Sequence, residues 1–271
     1  SPNRVANGNF SQIGNEEVTN GDFSEVGAEE ITNGDFATDS DWTVYGNTEI
    51  SNGKANLNSG TGAFANTLSQ SSVVTNLKNY KISFTISNYQ EGEAYVSIGF
   101  NTSFLVNAGG DYTFYGVSQS GDNTNFLVRN GASNFIGSIS NVSVKEVGQD
   151  WTSWGTGWNV GDNVATGNTS GNTNAFYQEG LINDKFYKAT FTVSSVSAGG
   201  VRINVGGGGI HGIGIERTVA GTYTEYLQSD GTKLYIQGRN SFVGSVTNIS
   251  VKEVGQGWTV THGWSVDDTK A

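Results

Sequence analysis

Apolar and polar residues alternate with a period of two over several stretches of the chain. Ile82, Phe84 and Ile86 fall on one face of the run 81–87, and Tyr187, Ala189, Phe191 and Val193 on one face of 187–193. The runs Ala94-Tyr95-Val96-Ser97-Ile98 and Val201-Arg202-Ile203-Asn204-Val205 repeat the pattern. Successive side chains of a strand point to opposite faces, so each run predicts a strand with one face in a core and the other towards solvent. Gly, Asn and Asp clusters separate the runs, and no helical stripe of useful length interrupts them. The expected fold class is all-β: tandem antiparallel β-sandwich (jelly-roll) domains preceded by a short N-terminal repeat arm.

Tandem organisation follows from a repeated cassette. FIGSISNVSVKEVGQDW, Phe135 to Trp151, returns as FVGSVTNISVKEVGQGW, Phe242 to Trp258, with twelve identities and a spacing of 107 residues. That spacing is the size of an ordinary domain, well above the roughly 20–50 residues of solenoid or propeller repeats, so each copy is expected to enclose its own core. A domain of this size buries about two thirds of its unfolded surface and needs no disulfide or metal to fold. A third start, WTVTHGWSVDDTKA from Trp258 to Ala271, lines up with the segments beginning at Trp42 and Trp151. It is expected either to be clipped or to be completed by a strand from another chain.

A shorter repeat fills the N-terminus. VANGNFSQIGNEE (5–17), VTNGDFSEVGAEE (18–30) and ITNGDF (31–36) recur at thirteen residues, each with an Asn-Gly turn signal followed by a Phe. Thirteen residues cannot bury their own Phe. The first two copies are therefore read as an arm, residues 1–30, that packs on the first module or on a neighbouring subunit, or else moves freely. The expected boundaries are then 31–148 and 149–255 for two modules and 256–271 for an opening hairpin of a third.

Composition sharpens this picture. Thirty-nine Gly, one Pro, no Cys and no Met, with 11% aromatic residues, disfavour long helices and suit strands joined by turns. A net charge of −11 argues against nucleic-acid binding and fits an acidic surface on a virion or in an extracellular setting. No apolar run approaches the roughly 20 residues of a membrane-spanning helix, so no membrane insertion is expected.

Catalytic groupings are scarce. The two His residues, His211 and His262, stand in no zinc-binding spacing. GGGIHG at 207–212 fits a phosphate-loop pattern in form only, because no helix pattern follows it. A non-enzymatic protein is expected.

The order Asn33-Gly34-Asp35-Phe36, Trp42, Asn52-Gly53-Lys54-Ala55, Leu68-Ser69-Gln70, Asn79 to Phe84 and Asn141-Val142-Ser143-Val144 resembles carbohydrate-binding modules of the family 4/9 jelly-roll type. The second copy is similar through Trp151, Phe176-Tyr177-Gln178, Phe186 to Phe191 and Asn248 to Val251. The ITNGDF opening, the GTGW turn at 155–158 and the SVKEVGQ closing also resemble modules of tail-fibre and other virion proteins of aquatic bacteriophages.

The resemblance implies recognition of a bacterial surface glycan, with other copies of the chain or other virion proteins as partners in a homo-oligomer. It also implies a structural calcium between opening and closing strands. Asp35 matches the opening acid, but Asn141 and Asn248 replace the closing one, which weakens that expectation. No cofactor is otherwise expected. Aromatic rings outside the strongest core pattern are the candidate sugar platforms: Tyr45, Tyr89, Tyr115, Trp154, Tyr223 and Tyr226. Trp42, Trp151 and Trp258 stand at equivalent positions, as do Trp158 and Trp264, and such equivalence points to shared packing. The alternative from a different class is a structural filament or capsid decoration subunit joined through its terminal segments, without glycan recognition.

Overall fold

The computed structural model describes residues 7–58, 62, 64–99, 101–119, 121, 123–207, 212–258 and 265–267. His211, His262, Trp264 and most of the third opening hairpin lie outside the described residues. Among those described there are seventeen strands and no helix. In chain order they are β1 (Ile13–Glu16), β2 (Val26–Glu29), β3 (Thr43–Tyr45), β4 (Thr48–Ser51), β5 (Lys54–Leu57), β6 (Thr67–Gln70), β7 (Asn79–Ile98), β8 (Thr102–Val106) and β9 (Gly110–Val117). They continue with β10 (Phe126–Val147), β11 (Thr152–Trp154), β12 (Trp158–Gly161), β13 (Val164–Asn168), β14 (Ala175–Glu179), β15 (Phe186–Val205), β16 (Gly221–Gln228) and β17 (Lys233–Val254).

The chain forms two compact units, one of residues 25–149 and one of residues 1–24 with 150–271. In the first, β7 and β10 run antiparallel from Asn79 opposite Val147 to Ile98 opposite Phe126, with register shifts between Asn130 and Phe135, Ile136 and Ser138, and Ser140 and Ser143. Such bulges bend strands, so each long strand serves both layers of a sandwich. One layer is β3, β6, the first part of β10, the second part of β7, and β8. The other is β4, β5, the rest of β10, the first part of β7, and β9. Ile82, Phe84 and Ile86 from one layer and Val96, Ile98, Phe126 and Val128 from the other share a single apolar cluster. Period-two alternation thus becomes a two-layer core. Phe104 on β8 and Phe114 on β9 stack at 4.4 Å, joining the two layers.

The second unit repeats the plan. β15 and β17 pair from Phe186 opposite Val254 to Val205 opposite Leu234. One layer is β11, β14, β17 and β15, extended by bridges from Val201 to Arg217 and from Asn204 to Ile213. The other is β12, β13, β17, β15 and β16. Trp151, Trp158, Phe176 and Phe242 are buried, and Trp151 stacks on Phe176 at 5.0 Å.

The N-terminal repeats are distributed differently from the arm expected over residues 1–30. The third repeat opens the first unit: Phe36 stacks on Trp42 at 4.9 Å, and the Trp42 indole Nε1 donates to the Asn33 carbonyl at 2.9 Å. The second repeat opens the second unit. Phe23 lies 5.4 Å from Trp151, whose Nε1 donates to the Asn20 carbonyl at 3.1 Å, across 131 residues of chain. The first repeat meets the third start, Phe10 lying 5.2 Å from Trp258, whose Nε1 donates to the Asn7 carbonyl at 3.0 Å. Phe10 and Phe23 therefore find the Trp that their own thirteen residues lack, while Phe36 meets the nearby Trp42, and the pairing is nested, first repeat with last start.

The rest of each repeat is equally specific. β2 pairs with β10, and β1 pairs with β17. The Glu29 carboxylate accepts the Val144 amide at 2.8 Å and the Ser143 hydroxyl at 2.6 Å; Glu16 accepts the Val251 amide at 2.7 Å and the Ser250 hydroxyl at 2.6 Å. Gln70 exchanges hydrogen bonds with the Thr32 backbone, as Gln178 does with Thr19. In the Asn-Gly turns the positive φ falls on Asn7, Asn20 and Asn33 and again on Phe10, Phe23 and Phe36. Gly has a different reason to be there. A Cβ at Gly34 would lie 2.0 Å from the Val142 carbonyl oxygen, and one at Gly21 would lie 2.0 Å from that of Ile249.

Candidate functional site

In the second unit the outer face of the β11 layer gathers aromatic and polar side chains. Register places Trp154 beside Ala175, Ala175 beside Gln237 and Gln237 beside Arg202 in one row. The neighbouring row is Thr152, Tyr177, Tyr235 and Asn204. Phe176, Ile236 and Ile203 alternate with these positions and point into the core. Tyr235 is 5.9 Å from Trp154 and 5.6 Å from Tyr177, so three rings line one edge of the face. The Lys233 ammonium lies 4.5 Å over Tyr177 and 3.0 Å from Glu179. Trp154 is 59% exposed and, with Tyr235 beside it, presents apolar ring area to solvent.

The polar end of this face is tightly wired. Arg202 donates through Nε and Nη2 to the Gln237 side-chain oxygen at 2.9 and 2.8 Å, Asn204 donates to the same oxygen at 3.1 Å, and Gln237 donates to the Asn172 carbonyl at 2.8 Å. Burial, together with the like charge of Arg239, holds the Arg202 pKa below the usual arginine value, against an opposing pull from Glu216. A depression of 330 Å³ lined by Thr19, Asp150, Thr152, Tyr177, Gln178 and Glu179 continues the face.

The first unit carries the equivalent face on the β3 layer with different chemistry. Its row is Tyr45, Thr67, Arg129, Tyr95 and Leu105, beside Thr43, Ser69, Leu127, Ser97 and Ser103. Tyr45 thus holds the place of Trp154 and is 66% exposed. The Arg129 guanidinium lies 4.5 Å from the ring centres of both Tyr95 and Phe64, an arrangement that occupies its faces and leaves N–H groups at its edges.

The six rings nominated from sequence separate into three pairs. Tyr45 and Trp154 occupy matching positions on the two faces just described. Tyr115 and Tyr226 also match each other, 6.0 and 5.9 Å from Lys81 and Lys188, but they lie on the opposite layer, on β9 and β16. Tyr89 and Tyr223 are engaged in packing. Tyr89 lies 6.0 Å from Phe135 and donates its hydroxyl to the Gly92 carbonyl, while Tyr223 lies 5.8 Å from Phe191 under Arg217 and donates to the Val219 carbonyl. Of the equivalent tryptophans, Trp42, Trp151 and Trp158 are buried, and Trp258 remains 40% exposed against Phe10.

Phe64, Tyr95, Arg129, Tyr177, Arg202, Tyr235 and Gln237 were not picked out from the sequence, although a signal existed for three of them. Tyr95, Tyr177 and Tyr235 stand out of phase with the buried positions on either side, where Ser or Thr would be the ordinary outward residue.

Opening and closing segments do meet where a calcium would bridge them, the Val142 amide donating to the Gly34 carbonyl at 2.9 Å. There the Asp35 carboxylate takes the Ala37 amide, and Asn141, at φ 52°, turns its amide to Thr85. Asn141 and Asn248 share this left-handed conformation, which Asn tolerates better than most residues. Among the described residues no group of three His, Asp or Glu side chains is placed to hold a metal ion.

The chain matches no family model and no curated protein. Among solved structures it is similar to the tandem CBM22-1–CBM22-2 domains of Paenibacillus barcinonensis Xyn10C, at 11% identity over 91% of this chain and 95% of that one, with a TM-score of 0.33. The 7S globulin of Momordica charantia matches at 9% identity over 80% of this chain and 79% of that one, with a TM-score of 0.11. At such TM-scores the fold rests on the strand pairing itself: the chain is a tandem antiparallel β-sandwich protein.

Proposed function

We propose that this chain is a non-enzymatic glycan-binding protein whose two modules bind sugar on the outer faces of the β3 and β11 layers. One observation carries the reading: Trp154, Tyr235 and Tyr177 form a ring-lined, partly exposed face that ends in the Gln237, Arg202 and Asn204 network. Aromatic rings supply apolar area for a pyranose face, and fixed amide and guanidinium groups select its hydroxyls. Two such faces in one chain raise effective concentration, and oligomers multiply it, for a gain of about 10²- to 10⁴-fold over a single weak site.

The setting that suits this reading is an extracellular or virion-surface appendage of a bacteriophage, a homo-oligomer or a partner of other virion proteins that attaches to bacterial surface glycans. It is supported by the ITNGDF and SVKEVGQ modules and the acidic composition. The test is a glycan array probed with the intact chain and with Trp154→Ala. Binding that falls about tenfold in the variant, with unchanged thermal stability, is expected. Absence of binding to any glycan refutes the proposal.

A second reading, a filament or decoration subunit joined through its terminal segments, draws on the distance over which opening segments act. Phe10 packs on Trp258 across nearly the whole chain, and a segment that reaches so far could be supplied by another copy. Deleting residues 1–12, which removes Phe10 and keeps β1 and the buried Phe23, distinguishes the two readings: loss of assembly with glycan binding retained favours the joining role.

A further inference from the structure

The face of the second unit differs from that of the first in its charge, and the difference bears on what it binds. Register puts Arg202 opposite Gln237 and Gly200 opposite Arg239, so the two arginines are diagonal neighbours on the same outer face. Lys233 lies on that face as well, since 233, 235, 237 and 239 share one side of β17. Lys233 is matched by Glu179 at 3.0 Å. Among the described residues neither Arg202 nor Arg239 has a carboxylate at ion-pair distance, although Arg217 nearby has one in Glu225 at 2.9 Å.

Glu216 favours the Arg202 charge from longer range, while its Oε1 accepts the Asn240 amide at 2.8 Å. Arg239 is satisfied still less. Its Nη1 reaches the Asn172 carbonyl only at 3.4 Å, and its Nε is buried without a partner. A chain of net charge −11 thus keeps two adjacent guanidiniums without direct carboxylate partners beside a row of rings, of which Trp154 is exposed and Tyr177 and Tyr235 are half-buried. Such an arrangement is costly unless a ligand supplies the anion.

We infer that the second unit's face selects an acidic glycan, a sugar ring resting on Trp154 and Tyr235 while a carboxylate or sulfate of the same or the next residue meets Arg202 and Arg239. This rests on the glycan-binding reading above and adds the ligand class. Spacing supports it. Strands lie about 4.8 Å apart, so the backbones at Trp154 and Arg202, three strands apart, are separated by about 14 Å, a span that two or three linked pyranoses and the reach of the two side chains can fill. Gln237 holds Arg202 by Nε and one hydrogen of Nη2, which leaves Nη1 available to an anion. The first unit's counterpart face carries one arginine, Arg129, already flanked by two rings, and has no such pair.

The experiment uses the intact chain on an array of neutral, carboxylated and sulfated glycans. It is followed by calorimetry with an oligogalacturonide and with its methyl ester, which has the same rings and no charge. Acidic glycans are expected to bind at least about tenfold more tightly than neutral counterparts of the same backbone. That preference should weaken as salt rises and be lost in Arg202→Gln and in Arg239→Gln. Carboxylated and sulfated arms identify which anion is taken.

Arg202→Lys keeps the charge without the planar fork, and it should retain part of the preference. It therefore gives a second variant should Arg202→Gln fold poorly. Equal or tighter binding of neutral glycans overturns the acidic assignment and leaves the glycan reading standing. Absence of binding across the whole array overturns both.

Discussion

Phe23→Ala tests the nested arrangement of the N-terminal repeats, because its effect should appear far away in the sequence and nowhere near. Phe23 precedes the first module, yet it is 2% exposed and lies 5.4 Å from Trp151 and 5.9 Å from Phe176, both in the second. Truncating a fully buried Phe removes its transfer free energy and leaves a cavity among rings that cannot collapse freely, a loss of about 3–5 kcal/mol. For a unit of this size each kcal/mol shifts the midpoint by about 2–4 °C, so the second unit should melt roughly 6–20 °C lower. Hydrogen exchange read by mass spectrometry separates the units. Protection should fall across β15 and β17, residues 186–205 and 233–254, and remain unchanged across β7 and β10. A loss of protection in residues 79–98 and 126–147, or no loss in either unit, would refute the assignment. Phe36→Ala is the mirror experiment, with the loss confined to residues 25–149.

Gly34→Ala should destabilise the first unit by about 1–3 kcal/mol or more, because the new Cβ meets the Val142 carbonyl, a backbone atom that cannot rotate away. Gly21→Ala should do the same to the second unit through Ile249; urea titration followed by hydrogen exchange reads both. Burial, then Glu253 and Glu16, raises the Glu17 pKa above its ordinary 4.5, so the folded state holds that proton more tightly than the unfolded state does. Its contribution is therefore fully present below pH 4.5 and lost as pH rises through the folded value. Glu17→Gln should accordingly be more stable than the parent at pH 7, with the advantage gone below about pH 4.5; thermal melts across that range check the sign.

Much of the sandwich was legible because alternation and burial report the same thing. Ile82, Phe84 and Ile86 and their counterparts at 187–193 lie in the cores as the period-two pattern requires. The Ser-Val pair shared by the two closing cassettes, Ser143-Val144 and Ser250-Val251, becomes the matched pair of donors to Glu29 and Glu16. The nesting of the repeats was not legible. Phe10, Phe23 and Phe36 sit in nearly identical motifs, and local sequence does not say which distant Trp Phe10 and Phe23 meet. Only the closing of strand ladders across more than a hundred residues decides it.

The candidate faces were half legible. Tyr45 and Trp154 stood out as aromatics outside the core pattern. Arg202 and Gln237 become meaningful only when register sets them side by side. Tyr115 and Tyr226 share composition with the platform rings, and their position on the other layer is a property of sheet topology.

The claim that sugar is held on the outer face of the β11 layer is tested most directly by the indole N–H resonances of the tryptophans during titration with a glycan that binds. The Trp154 resonance should shift progressively and saturate, while those of buried Trp42, Trp151 and Trp158 stay in place. A saturating titration that leaves Trp154 unmoved and perturbs instead the Tyr226 layer or the buried indoles would contradict the account.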